Sequence, residues 1–297
     1  MLDPDDLFTT EGLITSGAVD LVWGRGWRAP NYASLRAAEG DAGTGDELPL
    51  PLRGVLFAFL RELPDALAAI ERARPTGRFV VIARDGDSRL VNVLREGAIA
   101  GTVRQCEAVK HLFSVHTEAR PVVTPMPFAL RWKSQAQVLA NAIRNVPRSR
   151  KNAVLCAHRT LNVLEPGHER FTADAYFGNK PWATFYTAPM EAYPIPYDWY
   201  VNEVRSHDYF VAASNPDGGE RQALWEAMAL GTIPICTRRT QARWANLPIA
   251  LVDEWSDVTE QWCDAHIAEL RSRSFEAMSL RYWVGRVEET ARACEAR

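Results

Sequence analysis

The sequence predicts an α/β fold in two halves, each a parallel sheet covered by helices. Three observations lead there. Apolar runs without polar alternation recur at 78–83, 153–157, 209–213 and 232–236; a strand that is apolar throughout is buried on both faces, as parallel strands are. Segments with helical spacing lie between these runs, which is the βαβ pattern. The alternation also occurs on both sides of a polar, basic stretch, Pro147-Arg148-Ser149-Arg150-Lys151-Asn152, the best linker candidate in the chain.

Along the chain, residues 34–50 are rich in Gly, Ala, Asp and Glu and read as a loose loop. The alternation starts near residue 54, so the N-terminal half is expected to be short or irregular before it. Leu63, Leu67, Ile70 and Ala73 give helical spacing over 62–74. The strand at 78–83 ends in the turn Arg84-Asp85-Gly86-Asp87, and 88–95 reads as a helix. Val122 and Val123 mark a short strand, and 135–146 a helix. After the linker, 153–157 opens a second series. A last helix is expected over 275–297. These readings place an N-terminal domain at 1–147, a second domain at 148–280 and a C-terminal helix at 281–297.

Residues 209–237, YFVAASNPDGGERQALWEAMALGTIPICT, carry the most information. A buried strand runs to Ala213. Ser214, Asn215, Pro216, Asp217, Gly218 and Gly219 break it. A helix is expected from about 220 to 230, with Gly231 placed to end it, and then a second buried strand. A Gly-rich strand-to-helix turn presents backbone N–H groups and the positive end of a helix dipole at the carboxyl edge of a sheet, where anions bind in open α/β folds. Gly218 and Gly219 permit close backbone approach to such a ligand, and Ser214 is placed either to donate to a phosphate or to cap the turn. His158 and Arg159 end the first strand of the second half at the same edge. Glu226 lies among Ala223, Leu224, Trp225, Ala227 and Met228, where a charge needs a partner.

The same residues resemble the donor-binding half of the exostosin-like glycosyltransferases. That family shows a strand ending in Ser or Cys with Pro, a Gly-containing turn, Trp-Glu-Ala-Leu and then Gly-x-Ile-Pro-Ile. Here stand Trp225-Glu226-Ala227-Met228 and Gly231-Thr232-Ile233-Pro234-Ile235. Leu247-Pro248-Ile249, Val252-Asp253-Glu254-Trp255-Ser256 and Val258-Thr259-Glu260 resemble its "LPV…VDDWS.VTE", and Asn179-Lys180-Pro181-Trp182 its "NKPW". Thr124-Pro125-Met126-Pro127-Phe128 resembles "PIPIG", with Ala129 in place of the Gly. The resemblance is strongest over 150–285.

The resemblance implies GT-B architecture, two Rossmann-like domains facing a cleft, and transfer of a sugar from a nucleotide diphosphate donor to a glycan or other hydroxyl acceptor. It implies inversion, no metal and no other cofactor; no Asp-x-Asp stands near the donor turn, although Asp85-Gly86-Asp87 spells one in the other half. Glu226 is carried over as the ribose-binding carboxylate. Arg221 is a candidate for the diphosphate, because the family's Arg two residues before the Trp is Ala223 here. His158 and Arg159 are placed to meet the leaving diphosphate. Asp87 matches the Asp of the family's loop after the buried strand and is the candidate base; Asp85, His111 and His116 are alternatives. A non-catalytic nucleotide- or glycan-binding relative of the same fold stays open, as does a sugar-nucleotide epimerase.

Composition is that of a soluble globular protein: 47% hydrophobic and 24% charged over 297 residues, enough for one large or two ordinary domains. A formal net charge of -3 gives no basic excess for nucleic acid, and no apolar run approaches the ~20 residues of a membrane span. The acidic start MLDPDDLF differs from a leader, so a cytoplasmic protein is expected. The five cysteines are scattered and mostly in apolar runs, which predicts reduced core residues. Cys263 and His266 alone make a poor zinc pair. Trp182, Trp199, Trp244 and Trp255 are aromatic candidates for stacking, though Trp most often anchors a core.

Overall fold

A computed structural model describes residues 3–23, 32–33, 53–59, 66, 68, 78–84, 109–114, 123–125, 130, 133–145, 153–160, 168–189, 197–213, 222–238 and 246–295. The chain forms two compact units. One joins Met1–Thr9 to Ala129–Ser279; the other joins Thr10–Phe128 to Leu280–Arg297.

The second of these holds α1 (Thr10–Thr15), β1 (Leu21–Trp23), β2 (Tyr32–Ala33), β3 (Arg53–Phe59), β4 (Arg78–Arg84), β5 (Val109–Ser114) and β6 (Val123–Pro125). The strands are all parallel, in the order β2-β1-β3-β4-β5-β6. This half is therefore not short before residue 54: β1 and β2 extend the sheet beyond β3. Strands of three and two residues are too brief to leave an apolar run in the sequence. Val55, Leu56, Phe57, Val80, Val81 and Ile82 are buried in the middle of the sheet. Asp20 fixes the entry to β1: its N–H donates to the Val55 carbonyl at 2.9 Å, and the Val55 N–H donates to its Oδ2 at 2.7 Å. Any side chain at Gly54 would meet that carboxylate, since a Cβ there falls 2.7 Å from Asp20 Oδ2.

The other unit holds α2 (Lys133–Asn145), β7 (Val154–Thr160), α3 (Glu169–Phe177), β8 (Ala183–Pro189), α4 (Tyr197–Arg205) and β9 (Tyr209–Val211). It continues through α5 (Gln222–Ala229), β10 (Ile233–Thr237), β11 (Ala250–Val252) and α6 (Glu260–Ser272). Its strands are parallel in the order β11-β10-β9-β7-β8. The run 209–213 is a strand to Val211 with Ala212 and Ala213 buried behind it.

Successive residues of β9 face different helices. Tyr209 donates its hydroxyl to the Cys263 carbonyl of α6 at 2.8 Å, whereas Phe210 packs edge-on against Tyr200 of α4. Phe177 of α3 packs near Trp182 and Trp255, with ring centroids 6.0 and 5.9 Å away. Trp255 is thus a core anchor. Cys156, Cys236 and Cys263 are buried and reduced, as expected. His266 stacks on Trp262 and meets its carbonyl through Nδ1 at 2.8 Å.

The boundary expected at 147/148 falls inside this unit. Helix α2 belongs here because Arg205 of α4 donates to the Ile143 carbonyl at 2.9 Å and to the Leu230 carbonyl at 3.3 Å. Arg144 of α2 also pairs with Asp5. The single helix expected over 275–297 is two elements. A 3-10 turn, Glu276–Met278, precedes Ser279, whose extended backbone separates it from α7 (Leu280–Glu295). At that break the chain passes from one unit to the other. Leu7 bridges Ser279 antiparallel, Thr9 bridges Leu130 in parallel, and the Phe8 N–H donates to the Met278 carbonyl at 2.7 Å. In the other unit α7 packs on β3, β4 and β5 and buries Trp283 and Val287.

Candidate functional site

The β7–β11 sheet reverses its direction of growth at one place. From β7 the chain moves through α3 to β8 on one side, then returns through α4 to β9 on the other. In open parallel sheets the crevice outside the carboxyl ends of the two strands at such a switch point is where ligands bind. Here those strands are β7 and β9. His158 and Arg159 lie in the last three residues of β7, paired in the ladder with Thr187 and Ala188 of β8. Segment 214–221 follows β9. Ser214, Gly218, Gly219 and Arg221 lie outside the described residues, as do Asp85, Asp87, His116 and Trp244; His111 lies in β5.

Glu226 is the candidate whose side chain the structure defines most fully. It sits one turn into α5 and is 5% exposed. The Tyr197 hydroxyl donates to its Oε1 at 2.8 Å, and Gln222 Nε2 donates to the same oxygen at 2.8 Å. Tyr197 opens α4 and Gln222 opens α5, so the first turns of two helices converge on one carboxylate. Both helices follow strand ends at the carboxyl edge. Burial, then the charge of Glu226 and the hydrogen bond to it, push the Tyr197 phenol well above its ordinary range. Tyr197 therefore stays protonated and donates. The Tyr197 ring stacks on Tyr200, centroids 6.0 Å apart.

The far end of α5 is fixed as its sequence requires. Gly231 has φ 76°, its N–H donates to the Met228 carbonyl, and the Thr232 N–H donates to the Ala227 carbonyl, both at 2.9 Å. This is the Schellman arrangement, and the left-handed residue is the glycine. Trp225 is fully buried, and Ala223 is half-buried on the same helix.

On the other face of the sheet a second carboxylate meets a strand end. Thr237, the last residue of β10, donates its hydroxyl to Glu169 Oε1 at 2.7 Å, and Trp255 Nε1 donates to the Glu169 carbonyl at 3.2 Å. Sequence reasoning named neither Tyr197, Gln222, Glu169 nor Thr237. Only the Gln222–Glu226 spacing of four left a local signal; Tyr197 and Glu226 are 29 residues apart. Among the described residues no group of three metal-ligating side chains gathers, and no helix is long and apolar enough to cross a membrane.

These features define a class: an α/β protein of two parallel sheets, that of β7–β11 doubly wound, with a buried and hydrogen-bonded carboxylate on the helix after the switch-point strand β9. Among solved structures the chain is similar to an α,α-trehalose-phosphate synthase (UDP-forming) from Burkholderia vietnamiensis. Identity is 10%, coverage 82% of this chain and 69% of that one, and the TM-score 0.40. It is also similar to the N-terminal domain of trehalose-6-phosphate phosphatase from Candida albicans, at 9% identity, the same coverages and a TM-score of 0.39. No protein-family model matches the chain, and no curated protein matches it. The resemblance to exostosin-like enzymes rests on the sequence motifs of residues 150–285.

Proposed function

We propose that this protein is a glycosyltransferase of GT-B type that moves a sugar from a nucleotide diphosphate donor to a hydroxyl acceptor, with inversion and without metal. The observation that carries the reading is Glu226: a buried carboxylate on the helix that follows β9, a switch-point strand of a parallel sheet. A buried carboxylate is costly unless hydrogen-bonded, and ribose hydroxyls are suitable further donors to it. In this reading Glu226 accepts from the ribose. Ser214 and the N–H groups of Gly218 and Gly219 receive the diphosphate. Arg221, His158 and Arg159 offset the charge that grows on the departing diphosphate. Asp87 takes the proton of the acceptor hydroxyl as its oxygen bonds to the anomeric carbon and the bond from that carbon to the diphosphate oxygen breaks.

The test is a thermal-shift and calorimetry panel of UDP, GDP, TDP, CMP and their sugars. At 100 times Kd a ligand stabilises the fold by about 2.7 kcal/mol. A ribonucleoside diphosphate should bind, and Glu226→Gln should weaken it with little change in the melting temperature of the ligand-free protein. Failure of every nucleotide to bind would overturn the reading. Ala223, standing where the exostosin-like family has Arg, favours a second reading as a non-catalytic nucleotide- or glycan-binding relative. Release of nucleoside diphosphate with a glycan acceptor, or by donor hydrolysis, separates the two.

A further inference from the structure

We infer that Tyr197 and Gln222 are positioning residues that hold Glu226 ready for a ribose diol, so that the preference for a ribonucleotide depends on a clamp built from two helix starts. The inference rests on the reading of Glu226 given above and adds the residues through which that carboxylate works.

The geometry is specific. Two donors converge on one oxygen, each at 2.8 Å. They come from different elements: Gln222 from the same helix one turn earlier, Tyr197 from the start of α4. A Glu side chain has three rotatable bonds, and an isolated one on a helix samples several rotamers. Bonds from two directions to one atom leave it few. Ligand hydroxyls then meet a carboxylate whose orientation is already fixed, and binding loses less side-chain entropy.

The donor chemistry fits the role. Tyr197 is half-buried, and its phenol remains an O–H donor across the working pH range, so the clamp does not open by ionisation. Its ring is itself held, stacked on Tyr200, which packs on Phe210 of β9. The clamp is thereby tied to the switch-point strand. A purely structural hydrogen bond would affect every ligand alike; a clamp on the diol-binding carboxylate should affect only ligands that carry the diol.

The experiment measures calorimetric affinity for UDP and GDP and for their 2′,3′-dideoxy counterparts. The proteins are the full-length wild type, Tyr197→Phe, Gln222→Leu, Glu226→Gln and the Tyr197→Phe/Glu226→Gln double variant. For whichever ribonucleotide binds, Tyr197→Phe and Gln222→Leu should each lose about tenfold in affinity, the size of one charge-assisted hydrogen bond. Affinity for the dideoxy counterpart should stay within about twofold, and the double variant should be no weaker than Glu226→Gln alone. The two single variants report independently, so failure of one to fold leaves the other decisive. If both keep the full ribonucleotide preference while Glu226→Gln removes it, the clamp is refuted and the Glu226 reading stands. If Glu226→Gln itself keeps that preference, or no nucleotide binds the wild type, the Glu226 reading fails and the clamp with it.

Discussion

The Tyr209 hydroxyl reaches across the core to the Cys263 carbonyl at 2.8 Å, tying the first residue of β9 to helix α6. Both residues are fully buried. Burial pushes the Tyr209 phenol up, which keeps its hydroxyl protonated and donating. Tyr209→Phe keeps the ring and deletes one buried hydrogen bond. Urea unfolding should show a loss of about 1 kcal/mol with an unchanged slope against denaturant. An unchanged midpoint would mean the bond contributes nothing net.

Asp174 gives the fold a titration near neutrality. Burial raises its carboxyl from 3.8 to about 6, against the pull of the Arg170 guanidinium one turn earlier. The folded state therefore holds this proton more tightly than the unfolded chain. Stability from this group is fully present below pH 3.8 and is lost as pH rises through about 6. Asp174→Asn removes the titration. The stability of the variant relative to wild type should rise as pH passes through about 6 and flatten above it. Unfolding midpoints from pH 4.5 to 7.5 test this; a pH-independent difference would contradict it.

Much of this architecture was legible in the sequence, for physical reasons. β4, β7, β9 and β10 are buried on both faces and leave unbroken apolar runs. Gly231 announces the end of α5 because its φ of 76° suits glycine. α3, β8 and α4 leave no comparable signal in the sequence. β8 is an edge strand whose Phe185 and Tyr186 are exposed and whose threonines interrupt the apolar run. The Glu226 carboxylate was legible from its apolar neighbours. The hydroxyl that holds it was not, because Tyr197 is brought there by the return of the chain across β7. No periodicity marks such a contact.

Gly219→Val tests the proposed diphosphate site by comparing a nucleoside with its diphosphate. A side chain at a point of close backbone approach should weaken the diphosphate by at least about tenfold and leave the nucleoside nearly unchanged. Equal losses for both, or none, would remove the glycine from the phosphate site.

Asp87→Asn tests the proposed base. The substitution keeps size and removes basicity. Turnover should fall by at least ~10²-fold, within the range of positioned bases, with donor affinity within about twofold. Near-normal turnover would leave Asp87 a turn residue and direct the same test to Asp85, His111 and His116. Lost donor binding would give it a structural role instead.

The paired segments at Leu7–Ser279 and Thr9–Leu130 bear on how this protein can be taken apart. The polypeptide passes between its two units three times, so neither unit is a continuous stretch of sequence. A protease nick in any one passage leaves two covalent tethers. A gene fragment stopped at residue 147 would carry β1–β6 without α7, leaving β3, β4 and β5 without the helix that packs on them. It would also carry α2 without Arg205, which holds its last turn. The sequence that holds the whole of that unit is 10–128 joined directly to 280–297, an internal deletion that no single truncation supplies.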